Sequence, residues 1–286
     1  MDNINLHILS PNKYQKRYFG VDYFMGILKG SNPLFKYYST PIDQNPVFND
    51  GPISFLDEMY EFLEYEISKK EPGSIIGIES NPDVYDGVES INRILEILKK
   101  YSMGLYIETS SIKILKDLDA LKAFAEELPL LLAIPVANIS VKSRLLGESL
   151  NLDSTLKIIP KLANFGLNVG VIVKPIIPMI NDDLESFTKI INQTIAAGVK
   201  FVYPSFSLKF DSKKLKAFYD IIDMEFPMNM VKYQEMFGHK TTWESKTVPN
   251  LKKNYVILCK KHKVLYSMKD IINSYKPDLN IQLKLF

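Results

Sequence analysis

The stretch NVGVIVKPIIPMINDDLESFTKIINQTIAAGVKFVYPSF, residues 168–206, reads as strand, helix, strand. Its opening run, NVGVIVKP, is β-branched and almost continuously apolar, as expected for a strand buried on both faces. The run 182–198 repeats apolar residues at helical spacing. Asp182 is its N-cap candidate, and Gly198 sits where a helix C-cap belongs. KFVYPSF, residues 200–206, is short and apolar again. A unit of this length predicts a parallel β/α arrangement with a right-handed crossover.

The same alternation runs outward to residue 50. Strand candidates lie at 74–80, 104–110 and 130–137, with a first strand near 22–27. Helical patterns occupy 53–70, 88–101, 114–127 and 152–166, the last with Asp153 as N-cap candidate and Gly166 at its C-cap. In the first of these, Phe55, Met59, Phe62, Leu63 and Ile67 are expected to form one buried stripe. Six strands predict an α/β fold built as a partial, TIM-like (β/α)6 barrel. An open doubly wound sheet is the alternative, but no glycine-rich phosphate loop follows any strand. After Phe206 the pattern turns helical, at 213–223, 228–238, 249–262 and 267–275. The expected organisation is a barrel over 1–206, a helical C-terminal extension over 207–276 and a tail over 277–286.

Composition narrows the function classes. A chain of 286 residues with 46% hydrophobic and 24% charged residues can bury a large core. The longest apolar run, 128–137, is short and holds two prolines, so no segment is expected to span a bilayer. The N-terminus has neither a basic region nor an apolar signal core, and a cytoplasmic protein is expected. The single cysteine, Cys259, rules out an internal disulfide and cannot alone build a zinc or iron–sulfur site. The net charge of +2 conceals an asymmetry: residues 209–270 carry +6 and the remainder −4. The basic C-terminal third is a candidate nucleic-acid surface, although solvated helix faces give the same composition.

Residues 18–30, YFGVDYFMGILKG, carry three glycines and no charged cluster, histidine or cysteine. Read together with ESNPD, ETSSIKILKDLDAL, NFGLNVGVIVKPIIPMIND, GVKFVYPSF and VPNLKKNYVILCKKHKVLYSMKDIINSYK, in that order and spacing, the stretch carries a resemblance. The chain resembles the spore-photoproduct-lyase-like branch of the radical S-adenosylmethionine (radical SAM) enzymes, the DNA repair photolyases, over nearly its whole length. That resemblance implies a radical-SAM-type barrel with its chemistry at the C-terminal ends of the strands, and places residues 18–30 at the end of the first. The family's loop there reads Tyr-x-Gly-Cys-x-x-x-Cys-x-x-Cys, three thiolates that hold a 4Fe–4S cluster. Tyr18 and Gly20 match, and the cysteine positions fall on Val21, Met25 and Leu28. The family's Ser-Asp-Pro-Tyr is Ser80-Asn81-Pro82-Asp83 here, its Thr-Lys-Ser is Thr109-Ser110-Ser111, and its Thr-Thr pair falls on Ala137-Asn138. The resemblance therefore implies that the cluster and SAM have been lost, with no cofactor or metal in their place. Val21, Met25 and Leu28 are expected to fill the vacated space as one apolar cluster.

Glu79, Glu108 and Lys174 fall at strand ends where the resembled family is apolar or neutral. They are catalytic candidates as an acid/base set or a divalent-metal site, or else a salt bridge occupying the cluster's former space. The histidines, His7, His239 and His262, have no metal-ligand spacing. Cys259 is expected to be a buried small hydrophobe. Trp243, among Lys240 and Lys246, either stacks on a base or anchors the extension, and the anchor is expected. The C-terminal Gln282, Leu283, Leu285 and Phe286 resemble the peptide by which bacterial polymerases and repair proteins hold the sliding clamp, with Lys284 departing from the pattern. Three functions compete. The first is a degenerate, non-catalytic radical-SAM-like protein that binds DNA or replication and repair partners. The second is an enzyme with cluster-free chemistry at the barrel mouth. The third is a radical SAM enzyme with unorthodox cluster ligation.

Overall fold

The computed structural model describes residues 8–12, 18–26, 28–29, 54–55, 58–79, 83–137 and 152–276. A seven-stranded sheet forms its centre, made of β1 (Leu9–Pro11), β2 (Tyr23–Met25), β5 (Ile75–Ile78), β6 (Gly104–Glu108), β7 (Leu130–Val136), β8 (Val169–Val173) and β9 (Phe201–Pro204), in that spatial order. From β2 to β9 all neighbours are parallel, which gives the six expected parallel strands. The seventh strand, β1, pairs antiparallel with β2. The sheet is open: its order runs from β1 to β9 without closing. Two short strands, β3 (Leu28–Lys29) and β4 (Ser54–Phe55), pair separately.

Strands β5 to β8 are buried at every position, which is why their sequences run apolar without alternation. Their two faces nevertheless serve different cores. Ile76, Ile78, Leu105, Ile107, Leu132, Ile134, Val171 and Val173 meet the helices. Those helices are α1 (Glu58–Ile67), α2 (Asn92–Lys100), α3 (Leu118–Ala125), α4 (Leu152–Asn164) and α5 (Leu184–Ala196). The opposite parity, with Ile75, Tyr106, Leu131, Ala133, Ile172 and Phe201, lines the inner face. Gly170 belongs to that inner parity because a Cβ there would stand 2.2 Å from the Phe201 ring.

The helix ends follow the sequence with three corrections. Gly166 and Gly198 adopt φ of +85° and +91° beyond α4 and α5, the left-handed conformation glycine permits. Asp183, not Asp182, caps α5, accepting from the Ser186 N–H at 2.7 Å. Asp182 is instead buried and accepts from the Met179 N–H and the Ser245 hydroxyl. Asp153 lies inside the first turn of α4, which begins at Leu152. The stripe of α1 is Met59, Leu63 and Ile67. Phe62 is 47% exposed because it sits about 100° round the helix from the centre of that stripe, and Phe55 belongs to β4.

Beyond Phe206 come β10 (Ser207–Lys209), α6 (Ser212–Glu225), α7 (Pro227–Met236), β11 (Thr242–Glu244), α8 (Val248–His262) and α9 (Met268–Asn273). The antiparallel pair of β10 and β11, which brackets α6 and α7 in sequence, packs with them around a second cluster centred on Trp243, Phe218, Tyr233 and Phe237, to which Ala137, Ile177 and Ile180 also contribute. By contrast α8 supplies Leu251, Tyr255 and Cys259 to the helix-side core, and α9 supplies Ile271 to the inner one. Leu265, between these two helices, bridges in parallel to Phe201 of β9.

Candidate functional site

Residues 18–21 lie at the opposite end of the sheet from their expected place. Tyr18–Gly20 form a turn that precedes β2, and β2 runs parallel to β5, so the turn sits at the N-terminal edge. There it meets α9. The Tyr275 hydroxyl donates to the Phe19 carbonyl, the Phe19 N–H points at Met268 Sδ at 3.1 Å, and the Phe19 ring stacks on Tyr106 at 4.9 Å. Lys276 Nζ reaches Asp22 Oδ2 at 3.1 Å, and the same oxygen accepts from the Ile75 N–H. The loop therefore approaches the last helix and closes the floor of the half-barrel.

Val21 and Met25 do not form one cluster. Val21 is buried in the inner core with Phe24, whereas Met25 points into the helix-side core. Within β2 neighbours face opposite ways, Phe24 inward and Met25 toward the helices. Val21 precedes the strand, just after a turn in which Phe19 and Gly20 take positive φ, so the alternation does not extend to it and it packs beside Phe24. Leu28 begins β3, and its side chain lies outside the described residues.

The strand-end candidates do converge. Glu79 continues the parity of Ile75 and Gly77, Glu108 that of Tyr106, and Lys174 that of Gly170 and Ile172, so all three continue the inner-face parity. Lys174 Nζ meets Glu108 Oε1 at 2.7 Å, spanning β7, with side chains 7% and 0% exposed. Beneath them the Tyr106 hydroxyl donates to Glu108 Oε2 at 3.3 Å. Glu79 is equally buried. Burial first, then the charges of Glu108 and Glu79, hold the Tyr106 phenol well above its ordinary pKa. Two carboxylates, an ammonium group and a phenol thus meet at the C-terminal end of the sheet, the end at which β/α barrels carry chemistry.

Beside this group a second network locks the exits of β5 and β6. Asp83 accepts from the Thr109 hydroxyl at 2.7 Å and from the N–H groups of Tyr85 and Ser110 at 3.1 and 3.0 Å. Thr109 is consequently turned into structure rather than toward a ligand. The signal for this role of Asp83 in the sequence is its type and place, an aspartate preceding a turn. Burial outweighs the hydrogen bonds and pushes the Asp83 carboxyl from 3.8 up to about 6. The folded chain therefore retains a proton that the unfolded chain releases. This contribution to stability is complete below about pH 4 and is lost as pH rises through 6. Urea midpoints between pH 4 and 7 are expected to show a fall worth about 3 kcal/mol from this group. Asp83→Asn should flatten that component, and an unchanged pH slope in the variant would contradict the assignment.

The remaining candidates are placed simply. Cys259 is buried in α8, where burial pushes its thiol up to about 12. Trp243 is fully buried and anchors the α6–α7 cluster, its Nε1–H donating to the Lys240 carbonyl at 2.9 Å. His239 and His262 are exposed. His7, Ser80, Asn81, Pro82, Asn138 and the tail residues Gln282, Leu283, Leu285 and Phe286 lie outside the described residues. Among the described residues no three His, Cys, Asp or Glu side chains group to hold a metal ion. No helix there is long and apolar enough to cross a membrane.

Solved structures share this architecture. A point mutant of spore photoproduct lyase superposes with a TM-score of 0.61 at 12% identity, covering 93% of this chain and 80% of the lyase chain. The fold is that of spore photoproduct lyase. The lyase complexed with dinucleoside spore photoproduct gives a TM-score of 0.61 at 13% identity over the same shares of the two chains. A lyase variant with bound AdoMet and dinucleoside spore photoproduct gives 0.57 at 13% identity, again over 93% and 80%. No family model and no curated protein sequence matches the chain. On the lyase fold the radical SAM resemblance implies an iron–sulfur cluster, and the donor set here does not fit one. The chain holds a single thiol, Cys259, and it sits in the helix layer outside the sheet.

Proposed function

We propose that this chain is a degenerate, non-catalytic member of the spore-photoproduct-lyase fold that acts by binding DNA or replication and repair partners. The observation that carries this reading is the buried Lys174–Glu108 pair at 2.7 Å on the inner face, in a chain with one thiol. A charge so deeply buried persists only when paired, and pairing consumes the groups that chemistry would need. The convergence of Glu79, Glu108 and Lys174 beside Tyr106 supports a second reading, an enzyme using acid–base chemistry without a cluster. The direct contact of the lysine with one carboxylate favours the first. Val21, Met25 and Leu28 are then apolar residues without a ligand role, and neither cluster nor S-adenosylmethionine is bound.

Partner binding is assigned to the C-terminal tail, where Leu283, Leu285 and Phe286 are apolar anchors and Gln282 is an orienting amide for a bacterial sliding clamp. Calorimetry of the full chain tests both halves. Titration with S-adenosylmethionine is expected to give no heat of binding, and micromolar affinity would overturn the non-catalytic reading. Titration with a bacterial clamp is expected to give micromolar affinity, about 8 kcal/mol. Leu285→Ala with Phe286→Ala should abolish it, and unchanged binding in that variant would overturn the tail assignment.

A further inference from the structure

From Ser245 to Lys269 the chain carries seven lysines, Lys246, Lys252, Lys253, Lys260, Lys261, Lys263 and Lys269, and no acidic residue. All seven are exposed. Most belong to α8, whose inner side packs Leu251, Tyr255 and Cys259 into the core. Its outer side presents Lys253, Ile257, Lys260 and Lys261, at spacings that place them on one helical face. At about 1.5 Å rise per residue, Lys253 to Lys261 spans about 12 Å. Lys252 is engaged by Glu244 and by the Phe206 ring, and is left out of the face.

The face continues past the end of the helix. α5 lies beside α8, with the Thr188 hydroxyl bonded to Asn254 near their upper ends. At their lower ends a shallow, open cavity of about 530 Å³ lies on the surface, lined by Gly198, Lys200, His262 and Lys263 among others. This cavity is at the N-terminal end of β9, away from the strand ends that hold Glu79, Glu108 and Lys174. Helix C-termini favour nearby cations, which accounts for the residues closest to the ends but not for Lys253.

We infer that the outer face of α8 and the cavity below it form a docking surface for the phosphate backbone of duplex DNA, distinct from the inner-face site. This rests on the binding role proposed above and says where on the molecule it is exercised. Duplex DNA presents about one negative charge per 1.7 Å of axis, so a straight basic stripe meets several phosphates at once. Single strands are held by stacking bases on aromatic side chains, and the exposed apolar residue of this stripe is Ile257.

The test is anisotropy of a labelled duplex against the full chain, titrated across roughly 50–200 mM salt. Engagement of Lys200, Lys253, Lys260, Lys261 and Lys263 predicts a slope of log affinity against log salt of about −4.5. Lys260→Gln with Lys261→Gln is expected to weaken binding roughly tenfold and to lower the slope by about 2. Lys157→Gln with Lys161→Gln, exposed on α4, should change neither. Unaltered affinity and slope in the α8 variant would overturn this location while leaving a nucleic-acid-binding role in place. Tighter binding of a single strand, or of phosphatidylserine vesicles in place of DNA, would overturn the duplex assignment. No binding of any nucleic acid by the unmodified chain would overturn both the surface and the DNA half of the proposed function.

Discussion

Lys174→Met is expected to destabilise the fold by about 3–5 kcal/mol, the cost of leaving a buried charge without its partner. The methionine retains the volume of the lysine stem, so the loss reports the charge rather than a cavity. Glu108 is wholly buried and would keep the Tyr106 hydroxyl at 3.3 Å but lose the ammonium group at 2.7 Å. Adding Glu108→Leu to the same chain is expected to recover most of the loss, because two apolar groups of similar size can replace a buried pair with little penalty. Urea denaturation of the three proteins decides this. A single variant within about 1 kcal/mol of the parent would show that the pair is solvated like a surface bridge. A double variant as weak as the single one would place the essential interaction elsewhere in the group.

Trp243→Ala should cost a similar amount, about 3–5 kcal/mol, for a different reason. The indole is the hub of the second core: Phe237 stacks on it at 4.4 Å, Phe210 lies at 4.5 Å, and Phe218 and Tyr233 stand at 5.1 and 5.5 Å. Removing it empties the space that holds β10, β11, α6 and α7 together. The loss should be local. Amide exchange is expected to quicken in α6 and α7 while β6 to β8 stay protected. Uniform acceleration across the sheet would mean that the cluster and the barrel unfold as one unit.

The parallel architecture was legible because strands buried on both faces leave unbroken apolar runs, and residues 168–206 hold a strand, helix, strand unit in one stretch. Gly166 and Gly198 ended their helices as read, for glycine alone takes those φ values without strain. What was not legible turned on single-residue shifts. Asp182 and Asp183 are both capping residues by type, and only the start of α5 at Leu184 selects between them. Val21 and Met25 were expected in a loop after the first strand, but Val21 directly follows the turn before β2 and Met25 is the last residue of β2 itself. The sequence that follows β2, from Gly26 to Ser74, contains no cysteine either. The direction of Glu79, Glu108 and Lys174 could not be settled from sequence, since a shift of one residue reverses the face. The antiparallel β1 and the β10–β11 pair, three residues per strand, were too short to leave a pattern.

On the function proposed above, this chain keeps the lyase fold with an ion pair at its mouth and holds no cluster. Anaerobic reconstitution with iron and sulfide, followed by iron quantification and absorption spectroscopy, tests it most directly. The expected result is a colourless protein with iron far below one cluster per chain, and an unfolding midpoint identical before and after treatment. A brown protein with the charge-transfer absorption of thiolate-bound iron and near-stoichiometric 4Fe–4S content would contradict it.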